Sequence, residues 1–159
     1  MFRYGPEPVA GDKFRLGTVL ETGVKVLGRA TWELLGGIFA TRDDDFSRAL
    51  AAMDKIVVSR SLTDVSSWAN STLLAGDLLD VVRERVRHQD VVVVGSGSVV
   101  DQLVAHDLVD EFRLVVFPLV VGKGRRVFDG ATAPLELDLV SSEDAGAGVL
   151  RQTYARKAH

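Results

Sequence analysis

Val24-Lys25-Val26-Leu27-Gly28-Arg29-Ala30-Thr31-Trp32 is a short apolar strand that ends on a glycine and turns into a helix. The same grammar returns twice. Lys55-Ile56-Val57-Val58-Ser59 runs into Arg60-Ser61-Leu62, and Val91-Val92-Val93-Val94 runs into Gly95-Ser96-Gly97-Ser98. Each stretch offers backbone N–H groups, hydroxyls or a guanidinium at the end of a strand. In open α/β sheets that edge is where ligands bind, and anions dock on the free N–H groups of helix starts. The repetition, with an Arg in two of the stretches, points to a surface that holds a long phosphorylated ligand such as a dinucleotide.

Composition sets the frame. A chain of 159 residues makes one domain with a real core. The 47% hydrophobic and 26% charged content is ordinary for a soluble globular protein. A net charge of −3 argues against general nucleic-acid binding, which shows as a basic stripe. The absence of cysteine rules out disulfides, iron–sulfur clusters and thiol catalysis, and it is compatible with a cytoplasmic location. Met1-Phe2-Arg3-Tyr4-Gly5-Pro6 has no signal-peptide pattern, and the apolar runs are strand-length, so no membrane span is expected.

The rest of the chain alternates helices with strands. A helix is expected over Lys13–Thr22, stopped by Gly23. Another is expected over Thr31–Leu35, closed by Gly36-Gly37, and a third from Asp43-Asp44-Asp45 to about Met53, its acids suiting the helix dipole. After a loop through Trp68 and Asn70 comes a short strand, Thr72–Leu74. Asp77 N-caps a helix reaching Arg87, with Leu78, Leu79, Val82 and Val86 on one face. The valine run 91–94 reads as a central strand buried on both faces. A helix over Ser98–His106 precedes a strand, Phe112–Phe117, stopped by Pro118. At the C-terminus Leu135, Leu137 and Leu139 alternate with Glu136, Asp138 and Val140, and a turn-rich Ser141–Gly148 leads to a last strand, Val149–Ala155. The expected class is α/β, a mostly parallel central sheet with an antiparallel C-terminal hairpin.

Taken singly, each segment has a plain architectural explanation. Gly95-Ser96-Gly97-Ser98 lacks the third glycine of a Rossmann fingerprint and the Lys-Ser or Lys-Thr of a P-loop, and it could be a tight turn. Arg29 could pair with phosphate while Thr31 adds a bond, or it could be a solvated side chain beside an N-capping Thr. Ser59-Arg60 suits a phosphate dianion, or simply ends a strand. Gly122-Lys123-Gly124-Arg125-Arg126 is a basic Gly-rich loop that reads as a solvated turn, with a place near the ligand as the alternative. His88, His106 and His159 are not at metal-ligand spacing, so no metal site is assigned.

Together the segments carry a resemblance. Val26-Leu27-Gly28-Arg29-Ala30-Thr31-Trp32-Glu33, Lys55-Ile56-Val57-Val58-Ser59-Arg60-Ser61-Leu62 and Val93-Val94-Gly95-Ser96-Gly97-Ser98-Val99 resemble the dihydrofolate reductase fold family. Leu108-Val109-Asp110-Glu111-Phe112-Arg113-Leu114, followed by Pro118, Gly122 and Phe128, favours the branch formed by the reductase half of riboflavin-biosynthesis deaminase-reductases. The resemblance runs from about Asp12 to the C-terminus and implies a three-layer fold with an NADPH site. By position it implies that Gly28, Arg29 and Thr31 hold cofactor phosphates. Ser59 and Arg60 take the 2′-phosphate, and Gly95, Ser96, Gly97 and Ser98 line the pyrophosphate and nicotinamide side. The catalytic candidates are Asp12, which falls where dihydrofolate reductases keep a substrate carboxylate and is also a natural helix cap, and Glu111, which opens a strand near the cleft in the riboflavin-type pattern or is a solvated acid beside Asp110.

The sequence departs from that family at its start. Members begin with a central hydrophobic strand, whereas Met1-Phe2-Arg3-Tyr4-Gly5-Pro6-Glu7-Pro8 leaves only Phe2–Tyr4 as strand, with prolines close behind. The strand is reduced to a stub, or begins upstream, or comes from another chain. Unpaired sheet edges invite a second chain, so a homodimer is expected, with weak or absent turnover of dihydrofolate. The expected activity is NADPH-dependent reduction of a small heterocyclic or carbonyl substrate. The alternatives are a catalytically idle nucleotide-binding relative serving as sensor or interaction module, and an unrelated doubly wound nucleotide-binding domain.

Overall fold

β1 (Val24–Gly28) is the centre of the molecule, buried at every position. The structure, a computed structural model, describes residues 11–131 and 133–157. The strand expected at Phe2–Tyr4 and His159 lie outside the described residues. β1 pairs in parallel with β2 (Asp54–Val58) on one side and β4 (Val91–Gly95) on the other, and β3 (Ser71–Leu73) joins beyond β2. The sheet order is β3-β2-β1-β4.

Side chains alternate across this sheet, so each face buries its own cluster. Val24, Val26 and Ile56 pack with Leu78 and Val82 of α4 (Leu78–Arg85) and with Val99 and Leu103 of α5 (Gly97–Ala105). Leu27 and Val57 face the other way, onto Trp32 of α2 (Arg29–Phe39), Leu50 of α3 (Asp45–Ala52), Val65 and Trp68. That second face also holds two buried lysines, Lys25 and Lys55, paired in register. Lys55 Nζ donates to the carbonyls of Met53 (2.7 Å), Ala69 (2.8 Å) and Ala51 (3.2 Å) and stands 4.7 Å from the centre of the Trp68 ring.

A second, antiparallel sheet follows in the order β5-β7-β6. It consists of β5 (Glu111–Val116), β6 (Leu137–Asp144) and β7 (Leu150–Arg156). Among the described residues, β4 and β5 each have a strand on one side only. The expected parallel sheet and C-terminal hairpin are both present, among the described residues as two sheets.

Four local expectations need correction. The helix expected over Lys13–Thr22 is a single turn, α1 (Val19–Thr22). Asp12 is the reason: its carboxylate accepts the N–H groups of Leu16 and Gly17, both at 2.8 Å, and closes a loop with Arg15 and Gly17 at φ of 55° and 56°. α2 does not stop at Gly36-Gly37 but continues to Phe39. Gly36 lies against Trp68, where a β-carbon would stand 3.5 Å from Cε3, so the missing side chain brings the indole close and offsets the helix propensity lost. Among the described residues the valine strand is not central: β4 has a strand on one side only, and Val94 is exposed. Finally, β6 continues to Asp144, and the reversal occupies only 145–149, where Gly146, Ala147 and Gly148 take positive φ.

Candidate functional site

β2, β1 and β4 are neighbours and parallel, so their carboxyl ends share one edge. Gly28, Ser59 and Gly95 lie along it, and the sequence segments that follow them are thereby brought together. Gly28 is the last residue of β1 and the N-cap of α2; Ser96 follows β4 and N-caps α5. A β-carbon on Gly28 would lie 2.3 Å from Ser96 Oγ and 2.9 Å from Ser96 N, which fixes glycine here. Gly95 has φ of 138°, a region that side-chain-bearing residues avoid, and a β-carbon there would stand 2.9 Å from Thr31 Oγ1. Thr31 Oγ1 and Ser96 Oγ share a hydrogen bond of 3.3 Å. The Gly95–Ser96 peptide bond is cis. Gly28, Thr31, Gly95 and Ser96 therefore form one close-packed knot.

The helix starts at this knot are open. Neither Gly28 nor Ser96 provides a side-chain cap, whereas Asp44 caps α3 through Ser47 N–H and Asp77 caps α4 through the N–H groups of Leu79 and Asp80. The first N–H groups of a helix have no intrahelical acceptor, so α2 and α5 present theirs at the edge. Gly97 and Ser98, in the first turn of α5, are exposed.

The remaining candidates flank the knot. Ser59 Oγ accepts the N–H groups of Ser61 (3.1 Å) and Leu62 (3.0 Å), which shapes the turn after β2. Arg60 is exposed. Arg29 pairs with Glu33 of its own helix at 3.2 Å, an exposed pair that another anion can replace at little cost. Arg125, in the basic Gly-rich loop that reads as a solvated turn or as a neighbour of the ligand, lies against Gly97. Its signal in the sequence was the clustering of Lys123, Arg125 and Arg126 between glycines.

Asp12 and Glu111 make their contacts elsewhere. Both oxygens of Asp12 are used in its own loop. Glu111 accepts from Arg113 Nε and lines a cleft of about 230 Å³ with Lys13, Arg15, Glu143 and Arg151, between the 13–15 loop and the antiparallel sheet. None of the residues at the parallel-sheet edge lines that cleft. Lys13 has its pKa lowered by burial. Burial also pulls Lys25 down to about 8, with Asp12 opposing, and Lys55 to about 8, with Lys25 adding to the effect. These lysines sit early in β1 and β2, away from the edge. Among the described residues there is no cluster of His, Asp or Glu suited to a metal ion, and no helix is long and apolar enough to cross a membrane.

Comparison with known proteins places this architecture. A candidate riboflavin biosynthesis protein of Shewanella sp. PV-4 superimposes with a TM-score of 0.75 at 22% identity, covering 96% of this chain and 84% of its own. RibD of Acinetobacter baumannii gives a TM-score of 0.62 at 12% identity over 86% of this chain and 47% of that one. A pyrimidine reductase-like protein of Corynebacterium diphtheriae gives 0.56 at 12% identity, over 88% and 78% of the two chains. In sequence, the uncharacterized protein YyaP of Bacillus subtilis (strain 168) is 24% identical over 134 residues, which is 80% of this chain and 70% of YyaP. The fold is dihydrofolate reductase-like. The RibD C-terminal domain profile matches residues 26–151. The chain belongs to the RibD C-terminal domain family, a reductase-like family.

Proposed function

We propose that this protein is an NADPH-dependent reductase of a small heterocyclic or carbonyl substrate, with the cofactor laid along the carboxyl edge of β2, β1 and β4. The observation that carries the reading is the knot of Gly28, Thr31, Gly95 and Ser96, where β-carbons would collide and two helix starts stand uncapped. These residues fit a dinucleotide. Backbone can approach a phosphate closely where glycine stands, and uncapped helix N–H groups favour an anion. Arg29, Thr31, Gly97 and Ser98 would contact the phosphates, and Ser59 with Arg60 would take the 2′-phosphate. NADPH, when bound, supplies the hydride, and the protein's part is to position and stabilise. Of the two carboxylates, Glu111 is the one a substrate can reach, through a cleft that the edge residues do not line and with Arg113 as its present partner, whereas both Asp12 oxygens already accept backbone N–H groups.

The test is cofactor discrimination. A charge-assisted hydrogen bond contributes roughly 1.5–3 kcal/mol, on the order of 10- to 150-fold in affinity. NADPH is expected to bind more tightly than NADH by such a factor, and Arg60→Ala to remove most of the difference. Equal affinities for the intact protein would overturn the 2′-phosphate assignment. Homodimerisation belongs to the same proposal. β4 and β5 each present one open side among the described residues, and Val116, Leu139, Val140 and Leu150 of the antiparallel sheet are exposed. Light scattering at micromolar concentration is expected to give twice the chain mass, and a stable monomer would remove this part.

A further inference from the structure

Building on the nucleotide-site reading above, we propose that Arg125 binds the pyrophosphate, carried there by the basic segment 122–126 as a flap over the start of α5. The segment belongs to the long connection between β5 and β6 and is moored to the body of the protein just beyond it. The Phe128 ring packs edge-on against Phe112 with centroids 5.3 Å apart. Gly130 N–H donates to Asp101 of α5 at 3.2 Å, and Gly130 fits so closely that a β-carbon would stand 2.3 Å from Asp101 Cγ. These moorings hold the preceding residues beside α5.

Arg125 then lies on Gly97. A β-carbon built on Gly97 would be 3.4 Å from Cζ, 3.4 Å from Nη2 and 3.5 Å from Nη1. Such even distances mean that the guanidinium lies face-on to the backbone. Its N–H donors lie in the guanidinium plane, so they are directed sideways across the helix start. Among the described residues, the Arg125 side chain makes no hydrogen bond and no ion pair. Most arginines of this chain are otherwise occupied: Arg15, Arg29, Arg42, Arg48, Arg83, Arg87, Arg113, Arg151 and Arg156 each meet a carboxylate.

The placement is electrostatically wrong for the protein alone. The start of a helix carries partial positive charge and repels cations. Here an unpaired guanidinium rests on the first residue of α5, which has no capping side chain, and Lys123 and Arg126 add to the same sign. An anion lying beside the guanidinium, in the plane of its donors and across the helix start, turns both repelling partners into ligands. A pyrophosphate is long enough to meet the α5 start and Arg125 together, and Arg combines with phosphate oxygens through paired donors. Arg60, at the end of β2, belongs to the other end of the same ligand. The two arginines therefore divide the work: Arg60 reads the 2′-phosphate, and Arg125 grips what NADPH and NADH have in common.

The experiment is titration of the intact protein, Arg60→Ala and Arg125→Ala with NADPH, NADH and adenosine 2′-monophosphate. Arg125 is exposed, so its truncation leaves the fold intact. Arg125→Ala is expected to weaken NADPH and NADH equally, about 10-fold or more, and to leave adenosine 2′-monophosphate unmoved. Unchanged dinucleotide affinity, a loss confined to NADPH, or an equal loss for adenosine 2′-monophosphate would each overturn the role of Arg125 while leaving the nucleotide site standing. An intact protein that binds neither dinucleotide would overturn both. Trypsin gives an independent readout, because Lys123, Arg125 and Arg126 are its cleavage sites. Saturating NADPH is expected to slow cleavage there, and an unaffected rate would contradict the flap.

Discussion

In the parallel sheet, β1 is buried at all five positions; in the antiparallel sheet, none of the eight positions of β6 is buried. The first sheet is covered by helices on both faces and supplies most of the apolar core. The second is laced with ion pairs instead: Glu111 with Arg113, Glu143 with Arg15 and Arg151, Glu136 with Lys157. Exposed pairs of this kind contribute little, whereas buried aliphatic side chains contribute a few kcal/mol each. Stability is thus concentrated in the sheet whose edge forms the proposed site. A ligand edge made of close-packed glycines needs such a base, because a knot fitted to tenths of an ångström is only as well placed as the strands beneath it.

The sharpest way to break this comparison is to truncate one leucine in each sheet. Leu27 in β1 has no exposed surface, and Leu139 in β6 is 57% exposed. Leu27→Ala is expected to cost about 2–5 kcal/mol, the range for buried leucines, and Leu139→Ala within about 0.5 kcal/mol, as for surface sites. Denaturant unfolding of both variants decides it. Similar losses would show that the antiparallel sheet carries more than its burial implies.

Two glycines of the site sharpen it further. A β-carbon on Gly28 meets Ser96, including its backbone nitrogen at 2.9 Å, so β1 and β4 must part. Gly28→Ala is expected to destabilise by about 1–3 kcal/mol, the usual cost of overpacking. At Gly97 the side chain of valine would meet the movable guanidinium of Arg125, and only at 3.4 Å for its β-carbon. Gly97→Val is therefore expected to keep cooperative unfolding and lose nucleotide affinity. Unfolding curves and NADPH titration, run on both variants, separate architecture from binding. Unchanged NADPH affinity in Gly97→Val would remove that residue from the site.

Which parts could be read in the sequence follows the same division. The strand ends at Gly28, Ser59 and Gly95, two running into helices and one into a turn, are local events, and local signals place them to within a residue or two. What escaped depends on distant neighbours. α2 crosses Gly36-Gly37 because Trp68, far along the chain, packs there. The valine run has the composition of a strand buried on both faces, yet Val94 is exposed and, among the described residues, β4 pairs on one side only; which strands pair is something hydrophobicity alone does not encode. Asp12 reads as a helix cap, and only the fold reveals that its bonds close a loop. Arg125 approaches Gly97 across the connection from β5 to β6, a contact for which periodicity has no signature.

Lys25 tests the same sheet through its charge. It is a cation buried in the best-packed strand, 3% exposed, with Asp12 the one carboxylate acting on it. Burial holds its pKa near 8, below the ordinary lysine value of 10.5. Between these values the unfolded chain binds a proton that the folded chain has released, so stability rises with pH across that window. Below about pH 8 the folded state must keep the buried charge. Lys55, also near 8, has the same sign, but its three carbonyl acceptors would be stranded by truncation, so it is the poorer site to change. Lys25→Met keeps the length of the side chain and removes the charge. It is expected to stabilise the protein at pH 7 by about 1–3 kcal/mol, each pKa unit being worth about 1.4 kcal/mol, and to reduce the rise of stability between pH 8 and 10 to the part that Lys55 contributes. Chemical denaturation at several pH values measures both. A variant that is less stable at pH 7, or keeps the full slope, would show that Lys25 is held by its surroundings as a charge, and that even the densest part of the parallel sheet tolerates one.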